Sequence, residues 1–138
     1  ERTVLVGVGD ELWQRAADAV MSWGVKTRSG FAVRRDTGTA GADPRALEAS
    51  ETETGPRAVA GADYALVARI GPLRIHEPVR VVSVVDLPDR RGFAYATRPG
   101  HPVTGEEAFV VHRSDDGRVW FTQRSLTRPG AGAWRPAF

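Results

Sequence analysis

The sequence predicts an α+β fold: a curved antiparallel sheet of about six strands with one N-terminal helix packed on it. Three observations carry this. Apolar residues recur at helical spacing only between positions 10 and 24, the second half of the chain alternates at a period of two, and each alternating run ends in turn chemistry.

Thr3 to Val8 is a short apolar segment leading into Gly9 and Asp10, and Asp is a favoured N-cap because its oxygen accepts from the open first-turn amides. Leu12, Trp13, Ala16, Ala17, Val20, Met21 and Trp23 then share one helical face, and Gly24 is expected to supply the left-handed stop. Val25 to Arg35 suits a strand. Residues 36–57 are rich in Thr, Gly, Ala, Asp, Glu and Pro, which marks a flexible loop or lid, with Asp43-Pro44 able to start one helical turn. Val59 to Ile70, Leu73 to Asp86, Arg91 to Thr97, Glu106 to Ser114 and Arg118 to Thr127 read as consecutive strands. Gly71-Pro72, Pro88-Asp89 and Asp115-Asp116-Gly117 lie between them as turns, so the strands form a meander.

The 138 residues fit a single domain, since one core suffices at this length. Hydrophobic residues at 41% and charged residues at 26% are ordinary globular usage. The absence of cysteine removes disulfides, thiolate nucleophiles and cysteine-held metals together, and agrees with a reducing, cytoplasmic setting. No apolar run approaches the length of a membrane span, and no charged-then-apolar leader follows Glu1. The net charge is only +2, with 19 basic residues interleaved among 17 acidic ones, so nucleic acid is not the expected partner. Lys26 is the sole lysine in a chain that otherwise uses arginine. Arg118, Arg124, Arg128 and Arg135 stand in an acid-free stretch from Gly117 onward, a local field suited to an anion.

The most distinctive stretch is Arg91-Gly92-Phe93-Ala94-Tyr95-Ala96-Thr97-Arg98-Pro99-Gly100-His101-Pro102-Val103-Thr104-Gly105-Glu106-Glu107-Ala108-Phe109. With Arg80-Val81, Val119-Trp120-Phe121-Thr122, Thr127-Arg128-Pro129, Gly7-Val8-Gly9 and Trp23, it resembles the DUF1990 (UPF0548) family of uncharacterised bacterial and plant proteins over nearly the whole chain. Ala96, Arg98, Gln123 and Arg124 depart from that family's pattern. The resemblance implies no activity. A helix laid across such a sheet also resembles the helix-grip arrangement of START-like and Bet v 1-like proteins, which implies a cavity for apolar or amphipathic ligands. Their closing C-terminal helix is expected to be missing or short here, because Ala133 to Phe138 is brief and follows glycine-rich sequence.

In the signature, two prolines restrict the backbone around His101 while Gly100 permits a left-handed step, so the imidazole is held where it can act as an acid or base near neutrality. Glu106 and Glu107 follow where the loop re-enters a strand. They point to opposite faces, which disfavours a paired-carboxylate mechanism; the alternative to a catalytic role is that Glu106 or Glu107 fixes the loop by accepting amides or pairing with Arg80, Arg98 or Arg128. His101, Glu106 and Glu107 are the candidate catalytic residues. Trp13, Trp23, Tyr95 and Trp120 are candidate ligand walls with Thr97 beside the loop, and Arg98, Arg124 or Arg128 is expected to receive an anionic end.

His76, His101 and His112 share no ligand spacing, so neither metal nor cofactor is expected. Ser22, Ser83 and Ser125 stand in no nucleophile elbow, and Gly7-Val8-Gly9 lacks the third glycine of a phosphate loop. The functional expectation is a protein that binds a small, partly apolar ligand between sheet and helix. The alternatives are an enzyme acting on that ligand through His101, and a module that meets a protein partner or a second copy of itself.

Overall fold

The computed structural model describes residues 1–37, 55–101 and 103–129. Its strands are β1 (Arg2–Val8), β2 (Phe31–Arg35), β3 (Asp63–Ile70), β4 (Leu73–Leu87), β5 (Arg90–Thr97), β6 (Val103–Arg113) and β7 (Arg118–Pro129), with helices α1 (Asp10–Met21) and α2 (Gly24–Arg28) between β1 and β2. All strand pairs are antiparallel, in the order β1-β7-β6-β5-β4-β3-β2. β2 to β7 run as a meander, and β1 crosses to lie beside the last strand.

Two expectations need correction here. The sheet has seven strands, not about six, because the opening segment Thr3 to Val8 is a full strand against β7. There are two helices, not one. Val25 to Arg35 does not run as a strand throughout: its first part is α2, and only Phe31–Arg35 pairs, against β3.

The junction between the helices explains the second correction. The left-handed residue is Trp23, at φ 64°, and Gly24 opens α2. Gly24 is required for a different reason than the stop: a Cβ there would come within 2.6 Å of the Ala19 carbonyl oxygen. Trp23 accepts a backbone conformation that costs a side-chain-bearing residue about 1–2 kcal/mol, because its ring, 1% exposed, packs on Tyr64, Phe93 and Tyr95 with centroids 4.9, 4.6 and 5.5 Å away.

α1 buries Trp13, Ala17, Val20 and Met21 against β5 and β6, as its stripe requires. Asp10 lies inside the helix and not at its cap: Gly9 takes the cap position, and Asp10 bonds Arg113 at 2.8 Å while complementing the first-turn dipole. Arg113 and Arg91 also lie over the Trp13 ring. The core beneath the helices is built from one face of the sheet, with Val119 on β7, Phe109 and Val111 on β6, Phe93 and Tyr95 on β5, Val79 and Val81 on β4, and Tyr64 and Leu66 on β3.

Of the expected loop or lid at 36–57, residues 38–54 lie outside the described residues. Its described ends are tied down. Gly55 N donates to Ser22 O, Ala58 N to Met21 O, and the Tyr64 hydroxyl to Arg57 O at 2.8 Å. Ser114, Asp116 and Gly117 form the β6–β7 turn, where Gly117 N donates to Ser114 O and Arg118 N to the Asp116 carboxylate.

Candidate functional site

α1 and Trp23 cover only part of the sheet face. Where β5 and β6 run beyond them, the alternation places Tyr95 and Thr97 on the helix side of β5 and Glu107 on the same side of β6, with Tyr95 directly opposite Glu107 in the ladder. Thr97 Oγ1 accepts from Gly105 N at 3.0 Å, which closes the base of the signature loop. Arg98 N donates to Pro78 O, and His101 N donates to Arg98 O, so the loop folds back toward β4. Gly100 at φ 100° makes the left-handed step that its place in the sequence requires.

This folding brings His101 Nε2 to 3.5 Å from the Glu77 carboxylate of β4, with the imidazole only 8% exposed. From the other side α2 contributes Lys26, whose Nζ lies 3.6 Å from Glu107 Oε1, 4.9 Å from the Phe31 ring centroid and 5.9 Å from that of Tyr95. Gln123 on β7 donates to the same Glu107 oxygen at 3.4 Å. Lys26, Phe31, Glu77, Tyr95, His101 and Glu107 thus enclose a cavity of ≈ 160 Å³, bordered also by Thr97, Gly105 and the exposed Glu106.

Tyr95, 4% exposed, forms one wall of this cavity. Burial pushes its phenol well above the ordinary tyrosine value, and the Glu107 and Glu77 carboxylates, which resist a second negative charge beside them, push it further. Tyr95 is therefore a neutral hydrogen-bonding group at physiological pH. A second cavity of ≈ 260 Å³ lies along the helices toward β1; Val4, Val6, Val20, Val25 and Phe121 make it apolar. The consecutive residues Val25 and Lys26 of α2 face one cavity each.

The structure therefore gathers His101, Glu106, Glu107, Tyr95 and Thr97 at one cavity. The remaining expected residues lie elsewhere. Trp13 and Trp23 are core residues, each with a buried indole N–H that has no hydrogen-bond partner among the described residues. Trp120 sits on the opposite sheet face, paired with His112, and its indole N–H donates to Ser114. Arg98 lies between Asp36 and Asp63, at 3.4 and 3.5 Å, and clamps the loop to β2 and β3. Asp63 also takes Arg80 at 2.7 Å; that hydrogen bond holds its carboxyl below the usual range, and Arg98 adds to the effect. Arg124 bonds Glu1. It borders a separate depression on the opposite face with Arg90, His112 and Thr122. Arg128 pairs with Thr104 along the backbone, and its side chain lies outside the described residues.

Sequence reasoning missed Lys26, Phe31 and Glu77. Phe31 and Glu77 carry no local signal. Lys26 does carry one, as the single lysine of the chain. Among the described residues, no group of three or more His, Asp or Glu is placed to hold a metal ion, and no helix is long and apolar enough to cross a membrane.

A family model described as a domain of unknown function, DUF1990, matches residues 1–137. A UPF0548 protein of Deinococcus radiodurans is 51% identical over 49 residues, which are 36% of this chain and 25% of that protein, so the match spans a minor share of the relative's length. No solved structure matches the chain.

Proposed function

Because the chain belongs to the DUF1990 family, whose description names no activity, we propose from the geometry that it binds a small, partly apolar ligand between its helices and its sheet. One observation carries this reading: an apolar cavity of ≈ 260 Å³ and a polar one of ≈ 160 Å³ lie against consecutive residues of α2, Val25 lining the first and Lys26 the second. Ligand sites are mostly apolar with a few placed polar groups, and drug-sized ones occupy roughly 300–1,000 Å³, so the ligand is small. Its apolar part lies against Val4, Val6, Val25 and Phe121, and its polar end meets Lys26, Tyr95 and Glu107. Helices laid over one face of an antiparallel sheet also support a helix-grip arrangement.

The test is native mass spectrometry on protein purified gently from its host, followed by denaturation to release whatever is bound. A small molecule should accompany the wild-type protein and be lost from Val6→Glu, which places a charge at the mouth of the apolar cavity. A bare mass, together with no saturable enhancement of anilinonaphthalene sulfonate fluorescence, would rule the reading out.

A second reading, catalysis on that ligand, is favoured by the half-buried pair of His101 and Glu77. A carboxylate beside an imidazole orients it for general acid–base chemistry. Conversion of the released ligand by the wild type, lost in His101→Ala while binding persists, supports catalysis. Recovery of the ligand unchanged from the wild type refutes it.

A further inference from the structure

The cavity at the signature loop already holds a cation, and that cation is the only lysine of the chain. Every other one of the 19 Lys and Arg residues is an arginine, so composition alone favours arginine at position 26 as well. What distinguishes lysine is a compact ammonium on a flexible stem, where arginine brings a wide planar fork. At this one position the surroundings are cut to the ammonium: the Phe31 and Tyr95 rings lie 4.9 and 5.9 Å from it, within the range at which a ring face attracts a cation, and Glu107 stands at 3.6 Å. The cavity remains negative with Lys26 in place. Glu77 and Glu107 line it against that single ammonium, and the exposed Glu106 stands at its border. An anionic ligand end would meet this field unfavourably, whereas a second ammonium would be balanced by it.

We propose that this cavity is an ammonium site, and that the ligand is an amphipathic primary amine whose head takes the place of the Lys26 ammonium between Phe31, Tyr95 and Glu107. The amine's apolar tail runs past Val25 into the cavity formed with Val4, Val6 and Phe121. The Lys26 side chain is the resident stand-in, held by one carboxylate and two ring faces, and its flexible stem lets it swing out when the ligand enters. This inference rests on the ligand-binding reading and deepens it by fixing the sign of the ligand's charge.

The test titrates isotope-labelled protein with octylammonium, octanoate and octanol at equal concentrations, following backbone amides by NMR. Octylammonium should shift Tyr95, Gly105 and Glu107 saturably and bind tightest of the three. Lys26→Met keeps most of the stem and removes the competing charge, so octylammonium affinity should rise about tenfold, and Glu107→Gln should lower it by a similar factor. Octanoate binding tightest, and weakening in Lys26→Met, would overturn the ammonium site while leaving the ligand-binding reading standing. Octanol matching octylammonium, with neither variant changing the affinity, would do the same. No saturable shift from any of the three would overturn both.

Discussion

Trp23 permits a prediction in which two opposing terms separate. Replacing it with Ala removes an indole that is 1% exposed and touches three aromatic rings. Such a ring buries about 150–250 Å², worth roughly 4–6 kcal/mol at 25 cal/mol per Å², and truncations of this kind cost about 3–5 kcal/mol. The alanine variant still bears a Cβ at φ 64° and keeps the left-handed penalty of about 1–2 kcal/mol. Glycine escapes that penalty but gives up roughly 0.5–1 kcal/mol to the entropy of the unfolded chain. Trp23→Gly should therefore be the more stable of the two, by up to about 1.5 kcal/mol, although it removes more atoms. Urea unfolding followed by circular dichroism resolves this difference and avoids relying on tryptophan emission. An alanine variant as stable as the glycine variant would refute the argument about backbone strain, and a loss below about 1 kcal/mol in both would refute the placement of the indole in the core.

Four further outcomes follow from named contacts. Tyr95 has a folded pKa above its unfolded value near 10, so the stability it contributes is intact below that pH and is lost as pH rises through the folded value; Tyr95→Phe should blunt this alkaline loss in a series of thermal melts. Asp63 has the opposite sign. Its folded pKa is depressed, first by the Arg80 hydrogen bond, so its contribution holds above about pH 4 and is lost as pH falls through the folded value, and Asp63→Asn should flatten the acid limb of the same series. Arg98→Ala breaks two partly exposed ion pairs, so global stability should fall by less than about 1 kcal/mol, yet hydrogen exchange at the His101 amide should quicken markedly because the loop loses its clamp. Gly24→Ala drives a Cβ toward the Ala19 carbonyl and should cost about 1–3 kcal/mol, read as a lower melting temperature by calorimetry.

The elements legible in the sequence were those in which one local rule dominates. The Trp13, Ala17 and Val20 stripe repeats often enough to fix α1, and the glycine, proline and aspartate turns punctuate β3 to β7. The junction after α1 was legible only in part. Gly24 is the residue that usually takes a left-handed backbone, but the pull of the Trp23 ring into the core moved that conformation one position earlier and turned the next five residues into α2. A helix so short has almost no periodicity to read. The candidate site divides in the same way. His101, Tyr95 and Glu107 lie within one strand-loop-strand unit and could be grouped from its register, whereas Lys26 and Glu77 reach them only through packing of α2 and the pairing of β4. The arginines expected at an anion site carry no sequence mark of the partners that occupy them: Arg98 finds Asp36 and Asp63, and Arg124 finds Glu1, across long separations along the chain.

The position of β1 also sets an order of events during folding. Its only partner in the described sheet is β7, with Arg2 opposite Gln123 and Val8 opposite Arg118, so the earliest strand of the sheet cannot pair until the latest has emerged. Closing so long a loop is entropically slow, and contacts of this separation delay folding relative to hairpins. The meander from β2 to β7 can assemble hairpin by hairpin, while the backbone of β1 waits unpaired, and its Val4, Leu5, Val6 and Val8 stay exposed even in the folded protein. During synthesis this interval spans the translation of more than a hundred residues, roughly 5–20 s at usual elongation rates, long enough for a chaperone to engage the waiting strand.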